Sequence, residues 1–327
     1  MAKLTFPFLG IFLLITIATA TIIIEPIPDK NMTRRSVVID SIKKLGGGAL
    51  DVVDGTFDFL GRLFGVSRKP PVPVAVKKMD ELREAILYHD DDEVTDLLLR
   101  KNFLNREIVA ARYYQKFWSD IKSDIKASFS GPYRDLLVAF VEDKYEFFAQ
   151  ELYDGIFGLS GGNVYAGLDV LCNPSAEQIA QINRAYRSKF GRELTSDLVY
   201  IPDPNIRASI MRFAQGQKII QYNYNPAMVE MSGYDRNDAY SNELICTRNG
   251  PKFFADRLDA SLKHGDHRGL TRLMIALINH NGYEAVMNHY QSIYKQSLLD
   301  TINLHTTGAY NYALLVMIDT AVNYKFV

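Results

Sequence analysis

Residues 176–198 read AEQIAQINRAYRSKFGRELTSDL, and this stretch decides the class of fold. Apolar residues recur in it at intervals of three and four, as at Ile179, Ile182 and Tyr186. That spacing is the period of an amphipathic α-helix. The same period prevails from Val74 to the C-terminus, where long alternating strand patterns are missing. The sequence therefore predicts a nearly all-α architecture.

A short phrase recurs along the chain and marks an internal repeat. Its three copies are ELREAIL (81–87), ELYDGIF (151–157) and DRLDASL (256–262). Two of the copies also end alike, in FSGPYRDLLVAF (129–140) and TTGAYNYALLVMI (306–318). Repetition of this kind indicates an architecture in which one helical unit is copied.

These phrases closely resemble the annexin repeat, a unit of five short helices. The resemblance covers roughly residues 74–327 and is most specific around 176–198 and in FFADRLDASL (253–262). It implies an all-α array with repeats at 74–142, 143–215, 216–250 and 251–327. It also implies a binding module rather than an enzyme, which meets phospholipid headgroups through calcium.

The third repeat is predicted to be truncated. The phrase at 151–157 and its counterpart at 256–262 are too close together for two full repeats between their starting points. Residues 216–250 cannot hold five helices, so we expect an incomplete array.

The resemblance also implies where calcium would bind. Annexins use a glycine-rich loop after the first helix and a carboxylate about 40 residues later, because calcium takes six to eight oxygen ligands. In the second repeat Leu159-Ser160-Gly161-Gly162 stands at the loop, with only the second glycine of the pattern kept, while the carboxylate position falls on Ile201. Asp203 is a nearby substitute ligand, so Gly161, Gly162 and Asp203 are the weak calcium candidates.

The equivalent loops of the first and fourth repeats depart further from the pattern. The first reads Leu87-Tyr88-His89-Asp90-Asp91-Asp92, with Ser128 at the carboxylate position. The fourth reads Lys263-His264-Gly265-Asp266-His267, with His305 at that position. Histidines suit zinc or copper better than calcium, but we expect His264, His267 and His305 to be solvated. No complete calcium site is therefore expected in these three repeats.

Residues 1–20 resemble a secretory signal peptide, with Lys3 before an apolar run and Ala18-Thr19-Ala20 as a cleavage site. An uncleaved membrane anchor is the alternative. Residues 21–73 then form a linker that contains an amphipathic segment at 36–66, which either lies on a membrane or docks on the core. Asn31 begins a glycosylation sequon, which an exported chain would expose.

The composition limits the kinds of partner that the protein can bind. The chain has 327 residues, with 37 Lys and Arg against 38 Asp and Glu, which argues against nucleic acid as a partner. The two cysteines, Cys172 and Cys246, are expected to be small buried residues rather than a disulfide. No strand pattern precedes Ser160-Gly161-Gly162, as a nucleophile elbow requires, and no phosphate-binding Gly-Lys-Ser/Thr loop is present, so no catalytic site is expected.

The sequence thus predicts a secreted protein that binds anionic phospholipid surfaces, with calcium weak, altered or absent as a cofactor. The alternative is an extracellular scaffold that binds a protein partner independently of calcium. Tyr222, Tyr224, Tyr234 and Tyr240 lie in one irregular stretch that would suit such an interface.

Overall fold

The computed structural model describes residues 78–103, 106–158, 163, 165–217, 239–278 and 282–323. Cα positions divide the chain between Val74 and Ala75, and every described residue belongs to the second unit. No strand occurs within those ranges, so the all-α prediction is confirmed. No helix among them has both the length and the apolar character of a bilayer-spanning segment.

Within the described ranges the helices fall into three sets of five, with one helix between the second and third sets. The first set is α1 (Met79–Leu87), α2 (Asp91–Thr95, continued as a π-helix at Asp96–Lys101), α3 (Arg106–Phe117), α4 (Ile121–Ser128) and α5 (Gly131–Val141). The second set is α6 (Lys144–Phe157), α7 (Ala166–Leu171), α8 (Ala176–Phe190), α9 (Leu194–Asp197, continued as a 3₁₀ turn at Leu198–Tyr200) and α10 (Pro204–Ala214). After α11 (Ala239–Arg248), the third set is α12 (Gly250–Lys263), α13 (His267–Leu277), α14 (Gly282–Tyr294), α15 (Leu298–His305) and α16 (Gly308–Asn323).

Local signals in the sequence fix both ends of α8. The Ser175 side chain accepts a hydrogen bond from the backbone N–H of Gln178, and the Gln178 side chain accepts one from the backbone N–H of Ser175. This capping box satisfies two N–H groups that the first turn leaves without helical partners. At the other end Gly191 adopts φ 67°, the left-handed conformation that ends a helix and that glycine reaches without strain.

A tyrosine–aspartate hydrogen bond recurs within the sets. In the first set the Tyr113 hydroxyl donates to Asp124, and in the second set the Tyr186 hydroxyl donates to Asp197, both at 2.8 Å. Each bond joins the third helix of its set to the fourth. Tyr113 and Tyr186 are fully buried, so the polar hydroxyl of each needs such a partner.

Between residues 216 and 250 the described part of the chain contains α11 and the first residue of α12. Residues 218–238 lie outside the described ranges, as do Tyr222, Tyr224 and Tyr234. The truncation of the third repeat therefore stays a prediction.

A buried charge network joins the second set to the third. Asp169 on α7 accepts hydrogen bonds from Arg257 on α12 at 2.5 and 2.8 Å. It also accepts from Arg272 on α13 at 2.8 and 3.0 Å. Arg272 in turn donates to Glu151 on α6 at 2.7 Å. Asp169 is fully buried and each of the other three is at most 5% exposed, so their charges are neutralised by one another.

The network continues to the surface through a third arginine. Arg268, in the first turn of α13, donates to Glu151 at 2.7 Å and to Asp154 on α6 at 2.5 Å. The start of α13 is therefore held beside the last turns of α6.

We expect Asp169→Asn to destabilise the chain by about 3–5 kcal/mol, because the substitution leaves two buried guanidinium groups without this carboxylate. Burial by itself raises the pKa of Asp169, but Arg257 and Arg272 outweigh it and hold that pKa below its ordinary value of 3.8. The contribution of this carboxylate is therefore complete at neutral pH and is lost as the pH falls below 3.8 through the depressed pKa.

Urea unfolding of the wild type and of Asp169→Asn, from neutral pH to below pH 3.8, measures the difference in unfolding free energy. Asp135→Asn is the matched control, because Asp135 is an exposed carboxylate paired with Arg134 and its loss should change stability by less than about 1 kcal/mol. Equal unfolding free energies for the Asp169 and Asp135 variants would contradict the assignment.

The prediction of two unbridged cysteines is wrong. Cys172, at the end of α7, forms a disulfide with Cys246 on α11, and their Cα atoms are 5.6 Å apart. Both residues are buried, as expected, but the packing of α11 beside α7 and α10 brings them together. The sequence carries no signal for this approach, because 74 positions separate the two residues.

Replacing both cysteines with alanine should lower the unfolding free energy by about 2–5 kcal/mol, since the bridge restricts the unfolded chain. Urea unfolding of oxidised wild type, reduced wild type and the double variant measures this. We expect the last two to unfold together at lower urea. Unchanged stability in the double variant would show that the bridge contributes nothing.

Candidate functional site

The loop between α1 and α2 is the first of the predicted calcium loops. The carboxylate of Asp90 in this loop already binds a backbone N–H group. Asp90 precedes α2, and its side chain accepts a hydrogen bond from the backbone N–H of Glu93 at 3.0 Å. Asp91 and Asp92 follow in the first turn of that helix, where negative charge favours the helix dipole. The acidic run thus serves as a helix start.

The structure brings this loop to the predicted carboxylate position. His89 Nδ1 lies 2.6 Å from the carbonyl oxygen of Ser128, the last residue of α4. The His89 ring also makes an edge contact with Phe129, with ring centroids 6.2 Å apart. The two parts of the predicted site therefore meet, but an imidazole and a serine stand there in place of a glycine-rich loop and a carboxylate.

The loop between α12 and α13 follows the same plan. Asp266 precedes α13 and accepts from the backbone N–H of Gly269 at 2.8 Å. His267 begins α13 and packs its ring edge-on against Tyr310, with centroids 5.3 Å apart. No group of three or more His, Cys, Asp or Glu side chains in the described ranges is placed to hold a metal ion, and this includes His264, His267 and His305.

A tyrosine from the fifth helix holds the start of the second helix in both of these sets. Tyr133 donates to the carbonyl oxygen of Asp91 at 2.7 Å, and Tyr310 donates to that of His267 at 3.1 Å. Burial raises the pKa of both hydroxyls above their ordinary value of 10.0, so they stay protonated and able to donate. This contact makes the loops part of the packed structure.

In the second set, Gly161 and Gly162 lie outside the described residues, as does the sequon residue Asn31 in the linker. Asp203 is described, and its side chain caps α10 by accepting from the backbone N–H groups of Asn205 and Ile206 at 2.8 and 3.1 Å. Ile201, at the predicted carboxylate position, is buried.

The described residues do not fit a complete calcium site. Calcium needs six to eight oxygens, usually with carboxylates among them. Asp90, Asp203 and Asp266 each bind backbone N–H groups, while the three positions that would supply the second carboxylate are a serine, an isoleucine and a histidine.

Contacts among the described residues define a region that we call the loop end, formed by the starts of α2, α5 and α13 and by the last turn of α6. Arg268, in the first turn of α13, pairs with Asp154 near the end of α6. A cavity of about 380 Å³ is lined by Gly131 at the start of α5, by Glu151 on α6 and by His267 at the start of α13. The contact and the cavity place the start of α5, the end of α6 and the start of α13 together.

Comparisons with known proteins agree with the fold. No protein-family model matches the chain. Annexin A8 of Oryctolagus cuniculus is 23% identical over 235 residues, which cover 72% of this chain and 65% of the relative. Annexin A1 of Homo sapiens is 22% identical over 296 residues, covering 72% of this chain and 84% of the relative. The match to annexin A8 thus spans slightly less than two thirds of that relative.

Solved structures show the same architecture. Annexin III superposes with a TM-score of 0.64 at 19% identity, covering 77% of this chain and 95% of that one. A calcium-bound annexin, annexin (Sm)1, superposes with a TM-score of 0.61 at 17% identity, covering 73% and 88%. The repeated phrases, the three sets of five helices and these matches agree, and the chain is a divergent relative of the annexins.

Proposed function

We propose that the chain is an exported protein that binds phospholipid membrane surfaces, with calcium contributing weakly or not at all. The calcium-bound annexin among the structural neighbours supports a lipid-binding ancestry, since annexins generally bind membranes in this way. The observation that carries the altered calcium dependence is the use of Asp90 and Asp266 as helix caps, together with Ser128 and His305 at the positions where a carboxylate is expected. Binding rather than catalysis is part of the same proposal.

Export is supported by two independent features. The apolar run and small-residue site in residues 1–20 have the form of a signal peptide. The bridge between Cys172 and Cys246 suits an oxidising compartment, where disulfides persist. Retention of the apolar run would instead anchor the same module to a membrane.

A protein-binding scaffold is the second candidate, and one exposed aromatic pair favours it. Tyr114 and Trp118, at the end of α3, are 41% and 44% exposed, with ring centroids 5.9 Å apart. Trp118 adopts φ 56°, a strained backbone conformation that is uncommon for a bulky residue. Recovery of a protein partner in a pull-down, without any affinity for vesicles, would favour the scaffold.

Vesicle co-sedimentation tests the main proposal. Phosphatidylserine/phosphatidylcholine vesicles should pellet the chain to the same extent in calcium and in chelator, because the described loops lack a complete set of calcium ligands. A calcium-dependent annexin serves as the positive control. Strong pelleting only in calcium would overturn the proposed loss of calcium dependence.

Substitutions at Asp266 test whether this side chain is a cap or a ligand. Asn caps a helix about as well as Asp, so Asp266→Asn should keep the stability, whereas Asp266→Ala should lose about 1 kcal/mol. Urea unfolding in chelator and in calcium measures both variants. If calcium stabilised the wild type and not Asp266→Asn, the residue would be a calcium ligand.

A further inference from the structure

Most of the exposed large hydrophobic side chains lie near the loop end. Within the described ranges these exposed residues are Leu87, Tyr88, Tyr114, Trp118, Val199, Tyr200, Ile293 and Leu304. Five of the eight lie beside the loops: Leu87 and Tyr88 at the end of α1, Val199 and Tyr200 at the end of the 3₁₀ turn, and Leu304 near the end of α15. We call these five residues the apolar loop set.

Two residues of the apolar loop set occupy equivalent positions in two different sets of helices. Tyr200 and Leu304 each stand four residues before the first residue of the fifth helix, and they are 58% and 70% exposed. Each directly precedes the position where the resemblance would place a calcium-binding carboxylate. Large apolar groups thus flank the positions from which the carboxylates are missing.

Contacts within the sets join these side chains to the loops. The Tyr200 ring lies 5.4 Å from the ring of Phe157, the last residue of α6. The guanidinium of Arg192 lies over both rings, at 5.3 Å from Phe157 and 5.9 Å from Tyr200. Tyr88 directly precedes His89, which contacts Ser128. Tyr88 and Tyr200 are therefore attached to packed parts of the structure.

Charges near the apolar loop set are mixed in sign. Lys126 and Lys263 are exposed near the ends of α4 and α12, and Arg192 is half-exposed beside Tyr200. Asp91 and Asp92, which lie beside Tyr88, carry the opposite charge. Lysine, arginine and tyrosine beside apolar side chains are the composition that suits the interfacial layer of a bilayer. A surface of mixed sign depends less on anionic lipid than a uniformly basic one.

We propose that the apolar loop set inserts into the interfacial region of a phospholipid bilayer and carries membrane binding without a calcium bridge. This inference rests on the proposed function and assigns the contact to particular side chains. The driving force is the removal of apolar surface from water, which needs no metal ion.

A triple variant, Tyr88→Ser with Tyr200→Ser and Leu304→Ser, tests the inference. The protein is recovered from the medium of a secreting expression host and assayed with phosphatidylcholine vesicles containing phosphatidylserine, in chelator. We expect its vesicle affinity to fall by at least about tenfold, because three apolar contacts are lost. Raising the salt concentration should change the wild-type affinity much less than the substitutions do.

Two further variants control for folding and for general loss of apolar surface. Ile293→Ser removes an exposed apolar side chain near the end of α14, which is not part of the apolar loop set. This variant should bind vesicles like the wild type. Tyr88→Ser with Leu304→Ser leaves the Tyr200 contacts intact and should show an intermediate affinity. Thermal unfolding verifies that all variants are folded.

The outcomes separate this inference from the proposed function. If the wild type bound no vesicles with or without calcium, the proposed function would fail. If the wild type bound vesicles and the triple variant bound equally well, the function would stand and the inference would be wrong. An equal loss in Ile293→Ser would also overturn it, because the contact would then not be confined to the loop end.

Discussion

The buried carboxylate of Asp169, shared by two arginines, is the constraint on which the arrangement of the helices depends. Removing a carboxylate and two guanidinium groups from water costs several kcal/mol for each ion, and only mutual contact offsets that cost. Arg257, Arg272 and Glu151 supply it from α12, α13 and α6. These four helices have to meet in one register, because a small displacement would leave a charge without a partner.

The position of the loop end follows from that register. Arg268 carries the same network to the surface, where it places the start of α13 beside the end of α6. The starts of α5 and α13 and the end of α6 are therefore held together at the loop end. At the described loops Asp90 and Asp266 cap helices, and His89 contacts the backbone carbonyl of Ser128. We propose that the exposed apolar groups supply the attraction to lipid in place of bridging calcium.

Local features were predictable from the sequence for physical reasons. The helical period at Ile179, Ile182 and Tyr186 reports which face of α8 is buried, and all three are buried in the structure. The repeated phrases indicated copies of one unit, and the described helices form three sets of five. The approach of Ser128 to the first loop was predictable only through the family resemblance, because 39 residues separate it from His89.

Contacts between the sets of helices could not be predicted from local sequence patterns. Arg272 and Asp169 are 103 positions apart, and a sequence pattern cannot distinguish a buried arginine of this kind from an exposed one. Cys172 and Cys246 are likewise brought together only by helix packing. The exposure of Tyr200 and Leu304 was also hidden, since a lone apolar residue at the end of a helix is usually assigned to the core. Gly161 and Gly162 remain sequence predictions.

We propose that the loop end meets a membrane without binding calcium. Equilibrium dialysis with radioactive calcium measures this directly, with the chain on phosphatidylserine vesicles and free calcium raised to about 1 mM, the range of weak protein sites. We expect no more bound calcium than the vesicles bind alone. One or more additional ions per chain, lost when Asp90 and Asp266 are replaced by asparagine, would contradict it.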